Sequence, residues 1–585
     1  MSAVMKVREH SAEHLSALQP PLVQHFELMA TAPSGVAKLR ELILTQGVRG
    51  KLLPQDPSDE PASELLEKIQ SEKDRLIEEG KIKRGKPLAE IPKQDEPFSL
   101  PHGWVWVRLN SLLQKIGAGS TPLGGREVYV PNGVKFLRSQ NVWNDGLRLD
   151  SVAFIKPGTH AKMNGTVVFA NDLLFNITGA SIGRCAVVPS NFDEANVSQH
   201  VTIVRTVMPE LNEFLHKVLI SRHVQQTVMD VQVGVSREGL SIAKLGQFLI
   251  PLPPLAEQSR IVTRVEELMR LCDALEANGR LEDAQHAQLV QTLLAALTAS
   301  TTPDELADNW QRVATHFDLL LDRPEAVDAL EQTILQLAVR GLLVPQDPRE
   351  EPASELVKKI RAEKYSLVAE GKIKSDKSSA PVPLDGLPFG SPTGWSWVRL
   401  GDVWQSSFYG PRFSNEEYVS TGGIPTIRTT DMTNGQIVLR NPPRVNVPLA
   451  KYDSYLVRKG DLLVTRSGSI GVMALFDLMI DAVPSAYLIR IRFSEHVYPN
   501  FFLKYFQSEL GQKQLGLSTT SVGVPNVSAS KMAEFFVPLP PLAEQVRIVA
   551  RVESLRRVCN CLRERLVARQ TTQVLLADAL IGEVA

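Results

Sequence analysis

Four cysteines in 585 residues are too few, and too scattered, to build a disulfide framework or a zinc site. Cys185, Cys272, Cys559 and Cys561 have no metal-ligand spacing, and this usage implies a reducing, cytoplasmic compartment. Long hydrophobic runs are missing too. None approaches the ~18 residues needed to cross a bilayer, and the N-terminal MSAVMKVREHSAEHLSALQP carries no apolar signal core. No Gly-Lys pair is followed by Ser or Thr. Those at Gly50, Gly80, Gly85 and Gly371 continue with Leu, Ile, Pro and Ile, which excludes a Walker-type ATP loop. An excess of either charge is absent as well, the net being −1. With 43% apolar and 22% charged residues the composition is globular, and the length exceeds one hydrophobic core, so at least two domains are expected.

What the chain has is repetition. RGKLLPQDPSDEPASELLEKIQSEKDRLIEEGKIK from Arg49 returns from Arg340 as RGLLVPQDPREEPASELVKKIRAEKYSLVAEGKIK, displaced by 291 residues. GWVWVRL at Gly103 returns as GWSWVRL at Gly394, and DLLFNITGASIG at Asp172 answers DLLVTRSGSIG at Asp461. PLPPLAEQSRIVTRVEELMRLCDAL at Pro251 answers PLPPLAEQVRIVARVESLRRVCNCL at Pro538. Matches in one order at nearly one offset mean a tandem duplication. Between them, from about Leu109 to Lys135 and from Ser190 to Phe248, the halves diverge, as two equal frames carrying different reading surfaces would. Charge follows the same division. Trp104–Ile250 is net +4 and Trp395–Val537 net +3, leaving −8 in the rest. Two mildly basic blocks sit in an acidic frame, the distribution a nucleic-acid partner favours.

After each PLPPLAEQ the apolar spacing alternates between four and three. The stripes are Ile261, Val265, Leu268, Cys272, Leu275 and Ile548, Val552, Leu555, Cys559, Leu562. They predict long helices beginning near Pro254 and Pro541 and packing against each other as a coiled-coil spacer. Further helices are expected over 36–46 and 327–339, and over 63–79 and 354–370, the last two opened by a capping serine and closed by Gly80 and Gly371. Short β-like runs at 167–170, 172–175, 201–204, 461–465 and 487–491 are separated by Gly, Asn, Ser and Thr loops. The fold expected is α+β: two α/β domains with mostly antiparallel sheet, separated and joined by long helices forming an antiparallel coiled coil, in a tandem pseudo-repeat. Its segments are a helical region 1–102, a first variable domain 103–253, a central region with the first long helix 254–393, a second variable domain 394–540 and a terminal helix 541–585.

The doubled PLPPLAEQ with its R-I-V-x-R-V helix, the GW-x-W-V-R-L openings and the internal D-L-L…IG motif together resemble type I restriction–modification specificity subunits throughout the chain. The resemblance implies a non-catalytic role. Each variable block would be a target-recognition domain reading one half of a split, asymmetric site in double-stranded DNA, with the helices setting the spacing. Two modification (methyltransferase) subunits would dock on the frame and two restriction subunits join them. S-adenosylmethionine, ATP and Mg would belong to those partners and none of them to this chain. No membrane is involved.

Competing readings are a single-chain DNA adenine methyltransferase and a non-specific DNA-binding scaffold. The first would need an Asn/Asp-Pro-Pro-aromatic loop, and the chain has Asn441-Pro442-Pro443-Arg444, with arginine in the aromatic position. Glu79-Gly80-Lys81 and its copy at Glu370 match half of a metal-nuclease core but are better explained as helix C-caps. No catalytic or metal-ligating residue is expected. Base reading requires Arg, Asn, Gln, Ser, Thr or Lys on groove edges. In the first block the loops offering them hold Ser120, Thr121, Arg138, Ser139, Gln140, Asn141, Asn176, Thr178, Ser181, Arg184 and Arg237. In the second they hold Tyr409, Arg412, Arg428, Thr429, Thr430, Asp431, Arg466, Ser467, Ser469 and Asn526. Arg138 and Arg428 align between strand and turn and form the leading pair, while Trp104, Trp106, Trp395 and Trp397 read as packing groups.

Overall fold

The computed structural model describes residues 32–85, 88–233, 239–373, 382–383, 387–466, 471–516 and 527–584. Contacts divide the chain into two units, 1–282 with 570–585, and 283–569.

The first unit begins with α1 (Gly35–Val48) and α2 (Ala62–Glu78). Pro61, in extended backbone, precedes α2, so Ser63 lies in its first turn and caps nothing. Gly80, at φ 71°, ends it, which is the left-handed C-cap expected of Glu79-Gly80-Lys81. Strand β1 (Val105–Arg108) pairs antiparallel with β13 (Leu249–Leu252), closing the frame at the two ends of the variable domain. Within that domain run β2 (Leu113–Ala118), β3 (Tyr129–Val130), β4 (Val134–Leu137), the hairpin β5 (Val142–Trp143) and β6 (Gly146–Leu147), and β7 (Ala153–Ile155). Then follow β8 (Val167–Val168), β9 (Leu173–Asn176), β10 (Cys185–Val187), β11 (Ala195–Val197) and β12 (Val201–Thr206). They form a four-stranded sheet in the order β10-β9-β12-β2 and a five-stranded sheet in the order β3-β7-β4-β11-β8. Pairing is antiparallel except between β11 and β4. Helices α3 (Asn212–Ile220) and α4 (Arg222–Val233) follow, and α5 (Leu255–Ala299) contributes its first part to this unit.

The second unit repeats the plan. It holds the rest of α5, then α6 (Pro303–Thr315), α7 (Pro324–Val339) and α8 (Ala353–Ala369). Frame strand β14 (Ser396–Arg399) pairs with β25 (Phe536–Leu539). Between them lie β15 (Trp404–Tyr409), β16 (Tyr418–Val419), β17 (Ile424–Ile427), the hairpin β18 (Met432–Thr433) and β19 (Gln436–Ile437), and β20 (Arg444–Val445). They continue with β21 (Leu462–Thr465), β22 (Met473–Leu475), β23 (Val483–Pro484), β24 (Leu488–Phe493) and helix α9 (Pro499–Gln507). The sheets run β15-β24-β21-β22-β19-β18 and β16-β20-β17-β23. The last helix, α10 (Leu542–Val584), leaves its final part in the first unit.

The expected fold class holds: mixed helix and sheet, mainly antiparallel, in tandem, with long helices. Where the heptad stripes point is different. Ile261, Val265, Leu268 and Cys272 lie in the first unit's core beside Leu39, Leu42 and Ile43 of α1, with Leu275 packed at its edge. A Cβ on Gly47 would come within 3.2 Å of Val265 and 3.3 Å of Ile261, so α1 rests directly on the stripe. Ile548, Val552 and Cys559, flanked by Leu555 and Leu562, join the second core beside Leu330, Ile334 and Leu335 of α7. The two stripes occupy separate cores, because each half supplies its own short helix to cover its own stripe. The far ends of the long helices pack elsewhere: Val290, Leu294 and Leu297 are buried in the second core and Ala577 in the first.

The repeated motifs are a set of buried polar ties. Glu257 and Gln258 are 1% exposed. Trp104 Nε1 donates to Glu257 Oε2 at 2.9 Å, and Gln258 Nε2 to the Pro253 carbonyl at 2.9 Å. Gln55, from the PQDP segment, donates to the Gly50 carbonyl at 2.7 Å and to Glu257 at 3.3 Å. The second half repeats these with Trp395 and Glu544 at 3.0 Å, Gln545 and Pro540 at 2.9 Å, and Gln346 on Gly341 and Glu544. Burial pushes both carboxyls above the usual glutamate range, against the lowering by these donors. GW-x-W, PQDP and PLPPLAEQ thus meet at one point in each half.

Candidate nucleic-acid interface

Four loops of the first variable domain converge at one end of its sheets. Gly119 N–H donates to the Val201 carbonyl at 2.9 Å and Ser120 N–H to Val197 at 3.1 Å, bringing the loop after β2 onto the β11–β12 turn. Ser198 N–H reaches Leu137 at 2.9 Å, and Ile177 N–H reaches His200 at 3.0 Å, adding the loops after β4 and β9. The second domain repeats the scaffold through Gly410 on Leu488 at 3.0 Å, Ser485 on Ile427 at 2.9 Å and Arg466 on Tyr487 at 3.0 Å. Gly119 and Gly410 are required by proximity: a Cβ would sit 2.0 Å from the Val197 carbonyl and 1.9 Å from that of Ser485.

The sequence-derived residues divide into groups at the surface and groups beneath it. Ser120, Thr121, Gln140, Arg412 and Thr430 are exposed; Arg138, Ser139, Thr178, Ser181, Arg184, Arg428, Thr429 and Arg466 are half-buried. Thr121 Oγ1 donates to Gln199 Oε1 at 3.1 Å, and Thr178 Oγ1 lies 2.6 Å from Nδ1 of the exposed His200. Tyr409, 39% exposed, accepts the Ala529 N–H at 2.9 Å, and the Arg466 guanidinium lies 5.0 Å from its ring centroid. Arg237, Ser467, Ser469 and Asn526 fall outside the described residues.

Three candidates lie beneath the surface. Asn141, Asn176 and Asp431 are 0%, 0% and 2% exposed and hold the loops from inside. Asn141 Oδ1 accepts the Arg138 N–H at 2.9 Å, and its Nδ2 donates to the Arg148 carbonyl at 2.8 Å. Asn176 Nδ2 donates to the Ser139 carbonyl at 2.9 Å. Asp431 accepts the Arg428 N–H at 2.8 Å, as Asn141 does for Arg138. In the two turns a short polar side chain three residues after the arginine satisfies the turn's own backbone before it can reach a ligand, and Asn176, at the end of β9, bonds the neighbouring loop.

That last pair also separates the two leading arginines. Arg428 Nε and Nη2 donate to the two Asp431 oxygens at 3.0 and 2.8 Å, and this pairing raises the guanidinium pKa. Arg138 faces an amide instead. Its Nη2 reaches the Ser151 carbonyl at 3.2 Å, and its buried Nε has no partner. Below both loop clusters lies a matching ion pair: Arg205 donates to Asp172 twice at 2.6 Å, and Arg492 to Asp461 at 2.9 and 2.7 Å. In the second domain Arg490 is also buried, and burial, followed by repulsion from Arg492, pushes its pKa down to about 10.

Trp143 and Arg148, which lie in the first cluster, were not indicated by the sequence. The signal available was an aromatic and an arginine just after the R-S-Q-N turn, where the second copy has Thr433 and Val438. Asn441–Arg444, by contrast, leads into β20, an inner strand paired with β16 and β17. Asn441 is at φ 49°, and the Arg444 guanidinium is occupied by the carbonyls of Gly422 and Gly423. Among the described residues no three His, Cys, Asp or Glu gather into a metal-binding group, and no helix is long and apolar enough to cross a membrane.

The family model for the type I restriction modification DNA specificity domain matches this chain twice, over residues 101–285 and 392–568. The chain is 34% identical over 559 residues to the type I restriction enzyme EcoAI specificity subunit of Escherichia coli. It is also 34% identical over 583 residues to the EcoEI specificity subunit of the same organism. In both cases 93% of each chain is covered. A crystal structure of the HsdS subunit from Thermoanaerobacter tengcongensis is similar over 84% of this chain and 98% of that one, at 20% identity and a TM-score of 0.43. The chain belongs to the family of type I restriction–modification DNA specificity subunits.

Proposed function

We propose that this chain is the non-catalytic subunit that gives a type I restriction–modification complex its DNA sequence. Each variable domain, 103–253 and 394–540, reads one half of a bipartite, asymmetric site in double-stranded DNA. The observation that carries this reading is the pair of loop clusters. They are built on the same backbone contacts, from Gly119 and Gly410 to the β11–β12 and β23–β24 turns, yet they present different side chains. One scaffold used twice with different chemistry suits a site whose halves differ. Phosphate and base contacts then come from the exposed and half-buried members of each cluster.

The frame, 1–102, 254–393 and 541–585, supplies the rest. Its long helices set the half-site spacing, as a rigid dimer interface does for other readers. Its acidic surface receives two modification subunits, with two restriction subunits joining them, in the cytoplasm. S-adenosylmethionine, ATP and Mg are held by those partners. The test is reconstitution. The purified chain alone leaves a DNA panel unmethylated, and adding its modification subunits yields adenine methylation at one bipartite sequence. Methylation by the chain alone would overturn the reading, and so would methylation by the complex without sequence preference.

A further inference from the structure

Trp143 carries two arginines. The guanidinium carbons of Arg184 and Arg148 lie 3.7 and 3.9 Å from its ring centroid. The two cations are therefore no more than about 8 Å apart, inside a Debye length at physiological salt. Arg148 has one carboxylate near it, the exposed Asp145 at 3.2 Å. Among the described residues no carboxylate lies within ion-pair distance of Arg184. The group is also held in place. Trp143 Nε1 donates to the Gln140 carbonyl at 2.9 Å, and Asn144 Oδ1 accepts the Cys185 N–H at 3.0 Å. Gln225 Nε2 donates to the Gly183 carbonyl at 2.9 Å, and Asn176 N–H to the Arg184 carbonyl at 2.9 Å.

At the matching positions the second domain has the same backbone contacts and none of these three side chains. Val438 N–H donates to Asp431 as Arg148 N–H does to Asn141, and Thr465 N–H meets Val472 as Asn176 N–H meets Arg184. Trp143, Arg148 and Arg184 are thus replaced by Thr433, Val438 and Val472. An aromatic that fixes two guanidinium groups removes much of the rotamer freedom a flexible arginine loses on binding, and it leaves their positive charge in want of an anion.

Resting on the specificity-subunit reading, we propose that Trp143, Arg148 and Arg184 form a preorganised clamp for backbone phosphates of the first half-site. The second domain has no such clamp at the matching positions. The two arginines neutralise phosphate charge, and Trp143 is a positioning residue that keeps them together. The clamp contributes to affinity without reading sequence.

The test is equilibrium binding of the intact complex with its modification subunits to a 40-base-pair random-sequence duplex and to its own methylation site, between 50 and 200 mM salt. Arg148→Gln and Arg184→Gln are each expected to weaken binding about tenfold on both duplexes. Each should also lower the salt slope by about 0.9, the value of one lost phosphate contact. Trp143→Leu, which keeps an apolar group of fair size, should weaken both duplexes in the same direction. Val438→Gln, at the position matching Arg148, should leave affinity and slope unchanged. Unchanged affinity and slope in both arginine variants would overturn the proposal. So would a loss confined to the specific duplex with a changed methylation sequence, which would make the arginines base readers. A wild-type complex that binds neither duplex would instead refute the specificity-subunit reading.

Discussion

A single atom pair separates the two leading arginines. Where the second turn has Asp431, the first has Asn141, and only the acid can take the guanidinium out of service. Asn141→Asp is therefore expected to tie Arg138 to its own turn and weaken specific DNA binding by about tenfold, the worth of one charge-assisted bond. Asp431→Asn should release Arg428 and change what is read at the second half-site while sparing the first. Filter binding and methylation mapping of the two reconstituted variants check both expectations. At this scale the sequence was informative about where the loops are and poor about which way their side chains point. Arg138 and Arg428 were legible from the R-(S/T)-x-(N/D) match. The inward roles of Asn141, Asn176 and Asp431 were not, because a residue that caps a turn and one that reads a base have the same chemistry. Trp143 could be noticed only once Arg148 and Arg184, 36 residues apart, were seen to share its ring.

Helices show how each heptad stripe takes its own covering helix. Arg40 of α1 binds Asp273 and Glu276 of α5 at 2.5 and 2.8 Å. At the matching positions Glu331 of α7 binds Arg563 of α10 at 2.8 Å, and Arg556 at 2.6 Å. The sign is reversed, so seating α1 on the stretch of α10 that α7 covers would set Arg40 against Arg556 and Arg563. Glu331→Arg should lower the melting midpoint of the chain by about 2–4 °C, and the exchange Glu331→Arg with Arg563→Glu should recover part of that. Calorimetry decides. This reversal is also why the heptad stripes did not reveal their partners: both stripes suit the same apolar helix, and the charges flanking them choose.

Helix α3 adds a pH dependence. His216, buried with Nε2 on the Cys185 carbonyl at 3.0 Å, has its pKa pushed down to about 4 by burial, with Lys217 adding repulsion. Because the folded value is depressed, the neutral ring stabilises the fold fully above the unfolded value near 6.5, and that stability is lost as pH falls toward 4. The loss is about 3 kcal/mol. Leu503 occupies the matching position of α9, so the second domain lacks this sensitivity. Urea unfolding at pH 7 and pH 4.5 should show the first domain weakening more, and His216→Leu should flatten the difference. Trp104→Phe, which leaves Glu257 buried without its indole donor, should cost about 1–3 kcal/mol at neutral pH. The same measurement reads it.

For the molecule as a whole, repetition was the strongest signal and the structure explains it. The repeated strings are the ones that meet in buried polar ties and on helix faces, where a change on one side needs a change on the other. The divergent strings span loops, strands and helices that keep matching places in the two halves, and they vary while Gly119 and Gly410 keep their close approaches. The central claim is that two independent readers are mounted on one frame. Replacing residues 103–253 with the corresponding block of a relative, then sequencing the methylome of cells carrying the complete system, tests this most directly. A new first half-site with the second half-site unchanged is the expected result. A change in both halves, or in neither, would contradict it.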